Sequence, residues 1–344
     1  MNIGIMRNYK KPSYLSELIA IYSKAYDINV LYMRPNDVNI KTGKVRALTL
    51  IKGKWIKINT DIPKFIDISP FCFKEENNEI MEYLRENTSL SDNGLRRTSK
   101  ITFINRLKKD TDFNYLIIPT NKVNAINDVK EFIDRYKKII LKPSSGQFGA
   151  NIFFLKYSDG KYVLLYGSEK QELNDDELLD FYRNNIEGKD YIIQKFINSK
   201  TKQGYPFDCR INMEKNNLGE WTVARKFIRI GIGQKVVSNI SQGGAVSGLK
   251  SFLNANFQND KAKEIERKLN VIAKTLPQKV EEMRRQELMI MGIDVGIDKD
   301  GSVYLFEVNS APGTTQLRAQ AAELRAQYYS YIRDRIQSER KEVN

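Results

Sequence analysis

Histidine is absent from the sequence, and this absence excludes more chemistry than any other feature of its composition. Hydrolases built on a serine–histidine or cysteine–histidine pair, and zinc sites with imidazole ligands, need a side chain that the chain does not have. Acid–base catalysis by histidine is excluded as well. Any chemistry must therefore depend on carboxylates, lysines, arginines, backbone dipoles and, where a metal takes part, oxygen ligands.

Cysteine is scarce, since Cys72 and Cys209 are the only two, and their spacing is not that of a metal-binding motif. We expect two reduced thiols, as is usual in the cytosol. No apolar run approaches the ~18–20 residues that cross a bilayer, and the first residues lack the long apolar stretch of a secretory signal. The sequence therefore predicts a cytoplasmic protein without a membrane span.

Positive charge, by contrast, is in excess. The chain has 56 lysines and arginines against 42 aspartates and glutamates, a net charge of +14 that is spread along the sequence. This balance favours anionic partners such as nucleotides, acidic peptides, anionic polymers, nucleic acid or anionic lipid, without choosing among them. With 344 residues, 41% of them hydrophobic, the chain is long enough for two or three domains with sizeable cores.

The first hundred residues have the pattern of a small α/β unit. Apolar periodicity predicts a helix over residues 14–26, and two alternating runs around Lys52-Gly53 predict a β-hairpin. The other predicted strands of this unit are 2–6, 28–33 and 65–69. Such a β-α-β start is typical of dinucleotide-binding domains, but no Gly-x-Gly-x-x-Gly follows the first strand, so the sequence does not support that interpretation.

After residue 98 the pattern is mixed, and strands dominate from residue 150 to residue 309. The predicted strands are 115–119, 138–143, 151–157, 161–166, 190–197, 208–214, 221–230 and two within 291–309. The predicted helices include 174–185, 258–285 and 315–340. The last helix carries a heptad-like stripe: Leu317, Ala321, Leu324, Tyr328, Tyr331 and Arg335. We interpret the stripe as packing on its own domain, with a homodimer seam as the alternative.

A small polar connection follows Lys142, the lysine near the end of an apolar strand. Its residues are Ser144, Ser145, Gly146, Gln147, Phe148 and Gly149. Backbone N–H groups of such a loop can surround phosphate oxygens while the lysine supplies charge. A hairpin turn is the alternative. The loop is not a Walker motif, because Gly-Lys-Ser/Thr is missing and a strand follows it.

The apolar segment 191–197 carries Gln194 and Lys195 near its end. A strand end of this kind can offer backbone N–H and C=O groups to a flat heterocycle. An interior strand without a ligand is the alternative interpretation.

Acids interrupt two apolar strands within residues 291–313. Asp294 and Glu307 are thirteen positions apart on either side of an Asp-Gly turn, and Asn309 shares one strand face with Glu307. Two carboxylates and an amide oxygen on one sheet surface suit Mg²⁺. Buried carboxylates need a cation, and the alternative is a salt-bridge network with Arg210 and Arg225 on neighbouring strands. We assign Asp298 and Asp300 to the turn.

The loop of residues 144–149, the segment 191–197 and the acidic strands within 291–313 follow one another in the order typical of the ATP-grasp superfamily of carboxylate–amine ligases. The chain resembles this superfamily over residues 98–313. The most specific motif is GIDVGIDKDGSVYLFEVNSAPG, and KPSSGQFGANI, PFDCRINMEKNNLGEWTVARKFIRIG and VSNISQGG are most similar to the endospore-coat-associated branch. The resemblance implies an α/β ATP-grasp fold: a small N-terminal α/β domain, residues 1–97, followed by two α+β subdomains, 98–195 and 196–344, that clasp ATP between two sheets.

The resemblance also implies roles for individual residues. Those that match the nucleotide-binding positions are Lys100, Lys142, the loop from Ser144 to Gly149, Gln194, Lys195, Phe196 and Ile197. Those that match the metal ligands are Asp294, Glu307 and Asn309, with Mg²⁺ as the expected ion and Mn²⁺ as the alternative. Those that match the substrate side are Arg210, which faces the acyl-phosphate, and Asn239, Gly243 and Gly244. Two departures are the Gly-Gln-Phe-Gly loop and Gln194, where many members have an acid.

The implied function is that of an ATP-dependent ligase that joins a carboxylate to an amine or another nucleophile through an acyl-phosphate, with Lys142 and Arg210 as catalytic residues. The basic balance hints at an acidic peptide or anionic polymer as substrate. A non-catalytic nucleotide-binding or structural protein of a spore-coat-like assembly is the alternative. Nucleic-acid binding is a third hypothesis, which rests only on charge and aromatic residues.

Overall fold

Three β-sheets with flanking helices organise the chain in a computed structural model that describes residues 1–95, 99–144, 151–167, 169–232 and 244–343. This architecture confirms the predicted mixed α/β class. No helix in these ranges is long and apolar enough to cross a membrane.

The first sheet is built from the N-terminal residues. Its elements are β1 (Asn2–Met6), α1 (Tyr14–Ser23), β2 (Asn29–Met33), β3 (Val38–Asn39), β4 (Lys44–Ile51), β5 (Lys54–Asp61), β6 (Phe65–Ile68), α2 (Asn78–Asn87) and β7 (Ser89–Leu90). The strand order is β3-β4-β2-β1-β6-β7, with β5 on β4. Strands β2, β1, β6 and β7 run parallel, and the predicted β4–β5 hairpin is confirmed. The sequence analysis missed α2.

The second sheet is antiparallel throughout. Its elements are α3 (Lys100–Lys108), β8 (Thr120–Val123), α4 (Ile126–Tyr136), β9 (Lys138–Pro143), β10 (Phe153–Ser158), β11 (Lys161–Tyr166), β12 (Glu169–Leu173), α5 (Asp175–Asn185) and β13 (Tyr191–Lys195). The strand order is β12-β11-β10-β9-β13-β8. Helices α4 and α5 pack on one face, where Leu141 and Ile193 join the helix residues Phe132 and Leu178 in one core.

The third sheet is also antiparallel. Its elements are β14 (Phe207–Lys215), β15 (Trp221–Ile230), β16 (Ala245–Gly248), α6 (Leu249–Asn256), α7 (Asn259–Arg284), β17 (Ile290–Ile297), β18 (Val303–Asn309) and α8 (Arg318–Val343). The strand order is β16-β15-β14-β17-β18. The bounds of α5, α7 and most strands confirm the sequence pattern to within a few residues.

Strand β14 shows how this sheet separates an apolar face from a polar one. Cys209, Ile211 and Met213 pack in the core that α7 covers. Because side chains alternate along a strand, Asp208, Arg210, Asn212 and Glu214 lie on the opposite face. These four polar residues are nonetheless buried. We call this side of the third sheet the polar face.

The strand predicted at residues 115–119 was wrong. Residues Asn114–Leu116 form a 3-10 turn, and the strand begins at Thr120. Leu116 is fully buried in the core of the third sheet, where Leu107 and Phe113 also lie. The apolar run is therefore explained by packing between units and not by a sheet position.

Helix α8 packs against two units and not only its own. Leu317 and Ala321 contact Phe227 of β15, whereas Tyr329 and other residues further along belong to the core of the first sheet. The buried positions of the helix include Ala322, Arg325, Ala326 and Ile332. Leu324 and Arg335 of the predicted stripe are only half-buried, because a straight helix repeats every 3.6 residues and drifts off a heptad. The domain bounds 1–97, 98–195 and 196–344 stay a prediction.

Candidate active site

The polar face of the third sheet brings the predicted metal ligands together. Backbone register places Asp294 of β17 opposite Glu307 of β18, and Gly292 opposite Asn309. The turn between the strands is formed as predicted, since Asp298 Oδ1 accepts hydrogen bonds from the Asp300 and Ser302 amides, both at 2.9 Å. Asp298 and Asp300 are therefore turn residues.

Asp294 is held by two arginines. Arg210 of β14, directly opposite in the register, donates to both carboxylate oxygens, with Nη2 2.9 Å from Oδ2. Arg229 of β15 places Nη2 3.1 Å from Asp294 Oδ2 and also donates twice to Asp208. Burial alone would raise the pKa of Asp294, but the two arginines outweigh it and hold the pKa below its usual value.

Of the two arginines in the alternative salt-bridge network, Arg210 pairs with Asp294 and Arg225 does not. Arg225 donates instead to the backbone carbonyl of Gln316 and is largely exposed. Strand register explains the difference, because Arg225 lies opposite Asn212 and Arg229 lies opposite Asp208. The sequence analysis missed both Arg229 and Asp208. Their signal was a charged side chain between two apolar residues within each strand, Asp208 in Phe-Asp-Cys and Arg229 in Ile-Arg-Ile.

Glu307 pairs with a lysine from the second unit. Lys100, the first residue of α3, places Nζ 3.0 Å from Glu307 Oε1. The helix begins here because Ser99 caps it by accepting a hydrogen bond from the Thr102 amide. The pair therefore joins the beginning of α3 to the end of β18.

The oxygens of Asp294, Glu307 and Asn309 could hold a magnesium ion, although both Asp294 oxygens already accept hydrogen bonds from Arg210. Asn309 Nδ2 lies 3.4 Å from Asp294 Oδ2 and 3.4 Å from Glu307 Oε2, so both carboxylates converge on one amide. Rotating that amide by half a turn would present its oxygen to the same point, and this is the donor chemistry that Mg²⁺ prefers. Among the described residues, no group of three or more carboxylates, histidines or cysteines could hold a metal. Water or phosphate oxygens would have to complete the shell.

Lys142 of β9 approaches this site from the second sheet. Its Nζ donates to Gln194 Oε1 at 2.9 Å, and Gln194 in turn donates to Thr120 Oγ1 at 2.9 Å. Burial lowers the pKa of Lys142 to about 8, with a further lowering by the Lys100 charge and an opposing effect of Glu307. The charges of Lys100 and Glu307 therefore both act on the pKa of Lys142.

The segment that resembles the adenine hinge is partly buried. The Phe196 ring contacts Phe154 edge-on at 4.8 Å between centroids, and the Phe196 amide donates to Lys138 O. Within the described ranges, nothing accepts a hydrogen bond from the Ile197 amide. The Lys195 ammonium lies over the Tyr136 ring of α4, away from Lys142. Only the backbone of Lys195 can therefore belong to this site.

The two predicted loops are described only at their ends. The Ser144 amide and hydroxyl both donate to Asp190, so neither points freely to a ligand. Gly244 directly precedes β16. The other loop residues, Ser145, Gly146, Gln147, Phe148, Gly149, Asn239 and Gly243, lie outside the described residues. Their roles stay predictions.

Gly296 of β17 is in close contact with the Phe306 ring of β18, two residues from Asp294. The register shifts between Asp294 and Val295, and the Phe306 ring lies directly on Gly296. A Cβ at Gly296 would meet the Phe306 ring at 2.1 Å. The sequence analysis missed this contact, although an isolated glycine in an apolar strand signals a bulge or a close approach.

A separate cavity of about 250 Å³ lies on the helix-covered side of the second sheet. Its lining includes Phe153, Tyr166, Glu169 and Phe181. It contains none of the predicted site residues. This cavity is therefore separate from the candidate site on the polar face.

Comparison with known proteins agrees with this geometry. The sequence model of the family described as YheC/D-like ATP-grasp matches residues 93–335. The endospore coat-associated protein YheC of Bacillus subtilis (strain 168) is 25% identical over 323 residues, covering 89% of this chain and 86% of that protein.

Two solved structures share the fold at low identity. The D-cycloserine synthetase DcsG has a TM-score of 0.55 and 12% identity, with 95% of this chain and 99% of that chain covered. The ATP-grasp ligase PsnB, complexed with a minimal precursor, Mg and ADP, has a TM-score of 0.54 and 10% identity, with 96% and 98% covered. These likenesses confirm the ATP-grasp fold. The family match covers more than two thirds of the 344 residues of this chain, and the chain therefore belongs to the YheC/D-like ATP-grasp family.

Proposed function

We propose that the protein is an ATP-dependent ligase that activates a carboxylate as an acyl-phosphate and joins it to an amine. The observation that carries the proposal is the meeting of cations from the second unit with carboxylates of the third. Lys100 Nζ lies 3.0 Å from Glu307 Oε1. The charges of Lys100 and Glu307 both influence the pKa of Lys142. A triphosphate needs cations near its oxygens and a metal ion held by acidic ligands, and the Lys100–Glu307 pair brings a cation and a carboxylate together.

The chemistry would proceed in two steps. A substrate carboxylate oxygen attacks the γ-phosphorus of ATP, ADP leaves, and an acyl-phosphate forms. The amine then attacks the acyl carbon, the bond to phosphate breaks, and the amine proton passes to phosphate or water. Neither step needs a histidine, because phosphoryl transfer depends mainly on positioning and charge neutralisation.

Individual residues would divide this work. Lys100 and Lys142 would bind phosphate oxygens, and Arg210 would hold the substrate carboxylate through Nη1, which donates to none of the described residues. Asp294, Glu307 and Asn309 would hold Mg²⁺, which would neutralise and orient the triphosphate when bound. PsnB, whose complex contains Mg and ADP, supports this assignment by its shared fold.

The adenine would lie beside the segment from Gln194 to Ile197. The Ile197 amide, which has no acceptor among the described residues, and the apolar surface of Phe154 and Phe196 suit a flat heterocycle. Gln194 already bonds Lys142 and Thr120, so its role is to orient the lysine.

A nucleotide-binding scaffold without turnover is the second candidate. It is favoured by the name of the relative YheC, which describes association with the endospore coat, and by the two arginines that already neutralise Asp294. We propose a spore-associated setting for either function. An acidic peptide or anionic polymer would suit the charge of +14.

The decisive experiment is a screen for ADP and phosphate release, with Mg-ATP and pairs of amino acids, acidic peptides and cell-wall precursors. Mass spectrometry would identify any product. A ligase releases phosphate only when both substrates are present, and Glu307→Gln abolishes the release. Tight Mg-ATP binding in calorimetry with no release from any pair would favour the scaffold.

A further inference from the structure

The cavity of about 250 Å³ between the second sheet and α5 has no role in the proposed ligase chemistry. Its lining includes three aromatic rings and three side chains with acceptor oxygens, namely Phe153, Tyr166, Phe181, Glu169, Gln171 and Asn185. None of the described residues that line it is a lysine or an arginine, although the chain has 56 of them. Pockets for drug-sized ligands measure roughly 300–1,000 Å³, so this one suits a group of side-chain size.

The aromatic rings form one connected wall of the cavity. The Phe153 ring of β10 lies 4.9 Å from the Tyr166 ring of β11 and 5.0 Å from the Phe181 ring of α5, between centroids. Phe153 is 6% exposed and Tyr166 is 43% exposed. The wall therefore runs from a buried floor to an open mouth beside Tyr166. The faces of such rings attract cations.

An acid without a partner lies next to the exposed ring. Glu169 of β12 is directly opposite Tyr166 in the register, so both side chains lie on one face with Cβ atoms roughly 4.5–5.5 Å apart. Among the residues that the structure describes, no cation pairs with Glu169 and no group donates to it. Glu172, on the other face of the same strand, pairs with both Lys161 and Lys170. The lysines of this sheet edge are thus engaged away from the cavity.

Two amides add further acceptors. Gln171 lies two residues after Glu169 and therefore on the same face, opposite Leu164, and its side chain bonds none of the described residues. Asn185 Nδ2 donates to Phe181 O at 2.9 Å. Exchanging its amide oxygen and nitrogen would place two oxygens against each other, so Asn185 Oδ1 points away from that carbonyl and stays available.

We propose that this cavity binds a guanidinium group, carried either by free arginine or by an arginine side chain of a peptide. A guanidinium is flat, stacks on an aromatic ring and donates through two parallel N–H groups to a carboxylate. Its five N–H donors suit the four side-chain oxygens that Glu169, Gln171 and Asn185 offer together. An ammonium has only three donors and no flat face.

This site is independent of the proposed ligase function. Phe153 packs in the core that α4 and α5 cover, whereas the next residue, Phe154, contacts Phe196 on the other face of the sheet. The cavity and the nucleotide segment therefore lie on opposite faces of the second sheet. Binding in the cavity needs no nucleotide and can be measured without one.

The test is a titration with three matched probes, by calorimetry and saturation-transfer NMR at low ionic strength, where an exposed charge is least screened. The probes are the N-acetyl methylamides of arginine, citrulline and lysine. Citrulline has the shape of arginine without its charge, and lysine has the charge without the planar group. We expect saturable binding of capped arginine, weaker binding of capped lysine, and an affinity for capped citrulline that is lower by roughly tenfold or more.

Three variants locate the binding. Glu169→Gln should lower the affinity for capped arginine by roughly tenfold or more, and Tyr166→Leu by about threefold. Glu172→Gln is the matched control, because it makes the same change of charge on the opposite face of the same strand. It should leave the affinity unchanged. The Mg-ATP affinity should be that of the wild type in all three variants.

Free arginine serves as a fourth probe and identifies the source of the group. Tighter binding of free than of capped arginine would support the amino acid as ligand, and the reverse would support a peptide. Equal affinities for capped arginine and capped citrulline, no saturable binding of capped arginine, or wild-type affinity in Glu169→Gln would each overturn the proposal. Because no nucleotide is present, a failed ligase screen leaves these outcomes unchanged.

Discussion

Lys100 and Glu307 form an ion pair, with 3.0 Å between Nζ and Oε1, that connects the helix before the second sheet to the last strand of the third. Both side chains remain about one-third exposed. A pair of this exposure contributes little to stability, on the order of 0–1 kcal/mol. The pair therefore does little to hold the two units together, and we propose that Lys100 and Glu307 serve a shared ligand.

Glu307→Gln tests this interpretation. We expect phosphate release to fall at least a hundredfold, because a neutral amide is a weaker magnesium ligand, while the free energy of unfolding changes by about 1 kcal/mol or less. Phosphate-release kinetics and urea denaturation measure the two quantities. Glu264→Gln, on the surface of α7, is the control and should retain full activity. Wild-type activity in Glu307→Gln would exclude Glu307 as a metal ligand.

Asp294→Asn should differ from Glu307→Gln in its effect on stability. The substitution leaves Arg210 and Arg229 buried without their shared carboxylate. Removing one partner of a buried ion pair costs about 3–5 kcal/mol. We therefore expect loss of activity together with a clearly lower urea midpoint. Unchanged stability would mean that Asp208 alone can neutralise both arginines.

The lowered pKa of Lys142 predicts proton uptake when ATP binds. In the nucleotide-free protein this pKa is about 8, so near pH 8 the Lys142 side chain is neutral in about half of the molecules. A triphosphate favours the charged form and should draw in a proton. Calorimetry in buffers of different ionisation enthalpy would measure the uptake. Lys142→Arg keeps the charge at all pH values and should abolish the uptake, and equal uptake in that variant would disprove the assignment.

The same pKa has a consequence for stability. The folded-state pKa of about 8 lies below the usual 10.5 of an unfolded lysine, so the unfolded chain binds more protons between these values. Stability should therefore rise with pH from 8 to 10.5 through this group. The difference in urea midpoint between the wild type and Lys142→Met isolates the effect from other titrating groups. A difference that does not change with pH would contradict the prediction.

The contact between Gly296 and Phe306 makes a steric prediction. Because a Cβ at Gly296 would meet the Phe306 ring at 2.1 Å, Gly296→Ala must displace the ring or the strand. We expect a loss of about 1–3 kcal/mol and weaker nucleotide binding, measured by urea denaturation and calorimetry. Gly248→Ala is the control, since nothing lies within 4 Å of a Cβ there. Equal losses in both variants would contradict the prediction.

A buried charge network ties the N-terminal unit to the third sheet. Arg325 of α8 donates to Glu214 of β14 and lies 3.8 Å from Asp67 of β6, which also bonds Arg7 and Tyr329. Arg325→Met should cost about 3–5 kcal/mol, because it leaves Glu214 and Asp67 buried with less compensation.

Adding Glu214→Leu to Arg325→Met should restore most of this loss, because no carboxylate is then left unpaired on β14. Urea denaturation of both variants measures the recovery. If the double variant were no more stable than Arg325→Met alone, the loss would come from the packing of α8 and not from the unpaired charge.

Much of the site could be predicted because it follows from local pattern. The alternation of β17 and β18, with an Asp-Gly turn between them, is sufficient to bring Asp294 opposite Glu307 and to place Asn309 on the same face. The motifs in this stretch also identified the family. Periodicity and turn chemistry act within a few residues, and a single sequence reports them directly.

Contacts between distant segments could not be read in the same way. The pairing of Asp294 with Arg229 and not Arg225 depends on the register of β15 against β14. The bond from Lys142 to Gln194 depends on β9 lying beside β13. Each of these relations joins residues of separate strands, and no periodicity encodes which strands become neighbours.

The sequence by itself determined the family, most of the strand segments along the chain and the pairing of Asp294 with Glu307 across a turn, because these are properties of short segments. Only the tertiary structure decided that α8 links the first and third sheets and that two arginines neutralise Asp294. Such features arise from packing between distant segments. Burial and the distances between side chains then determine which partner each charged or polar group pairs with.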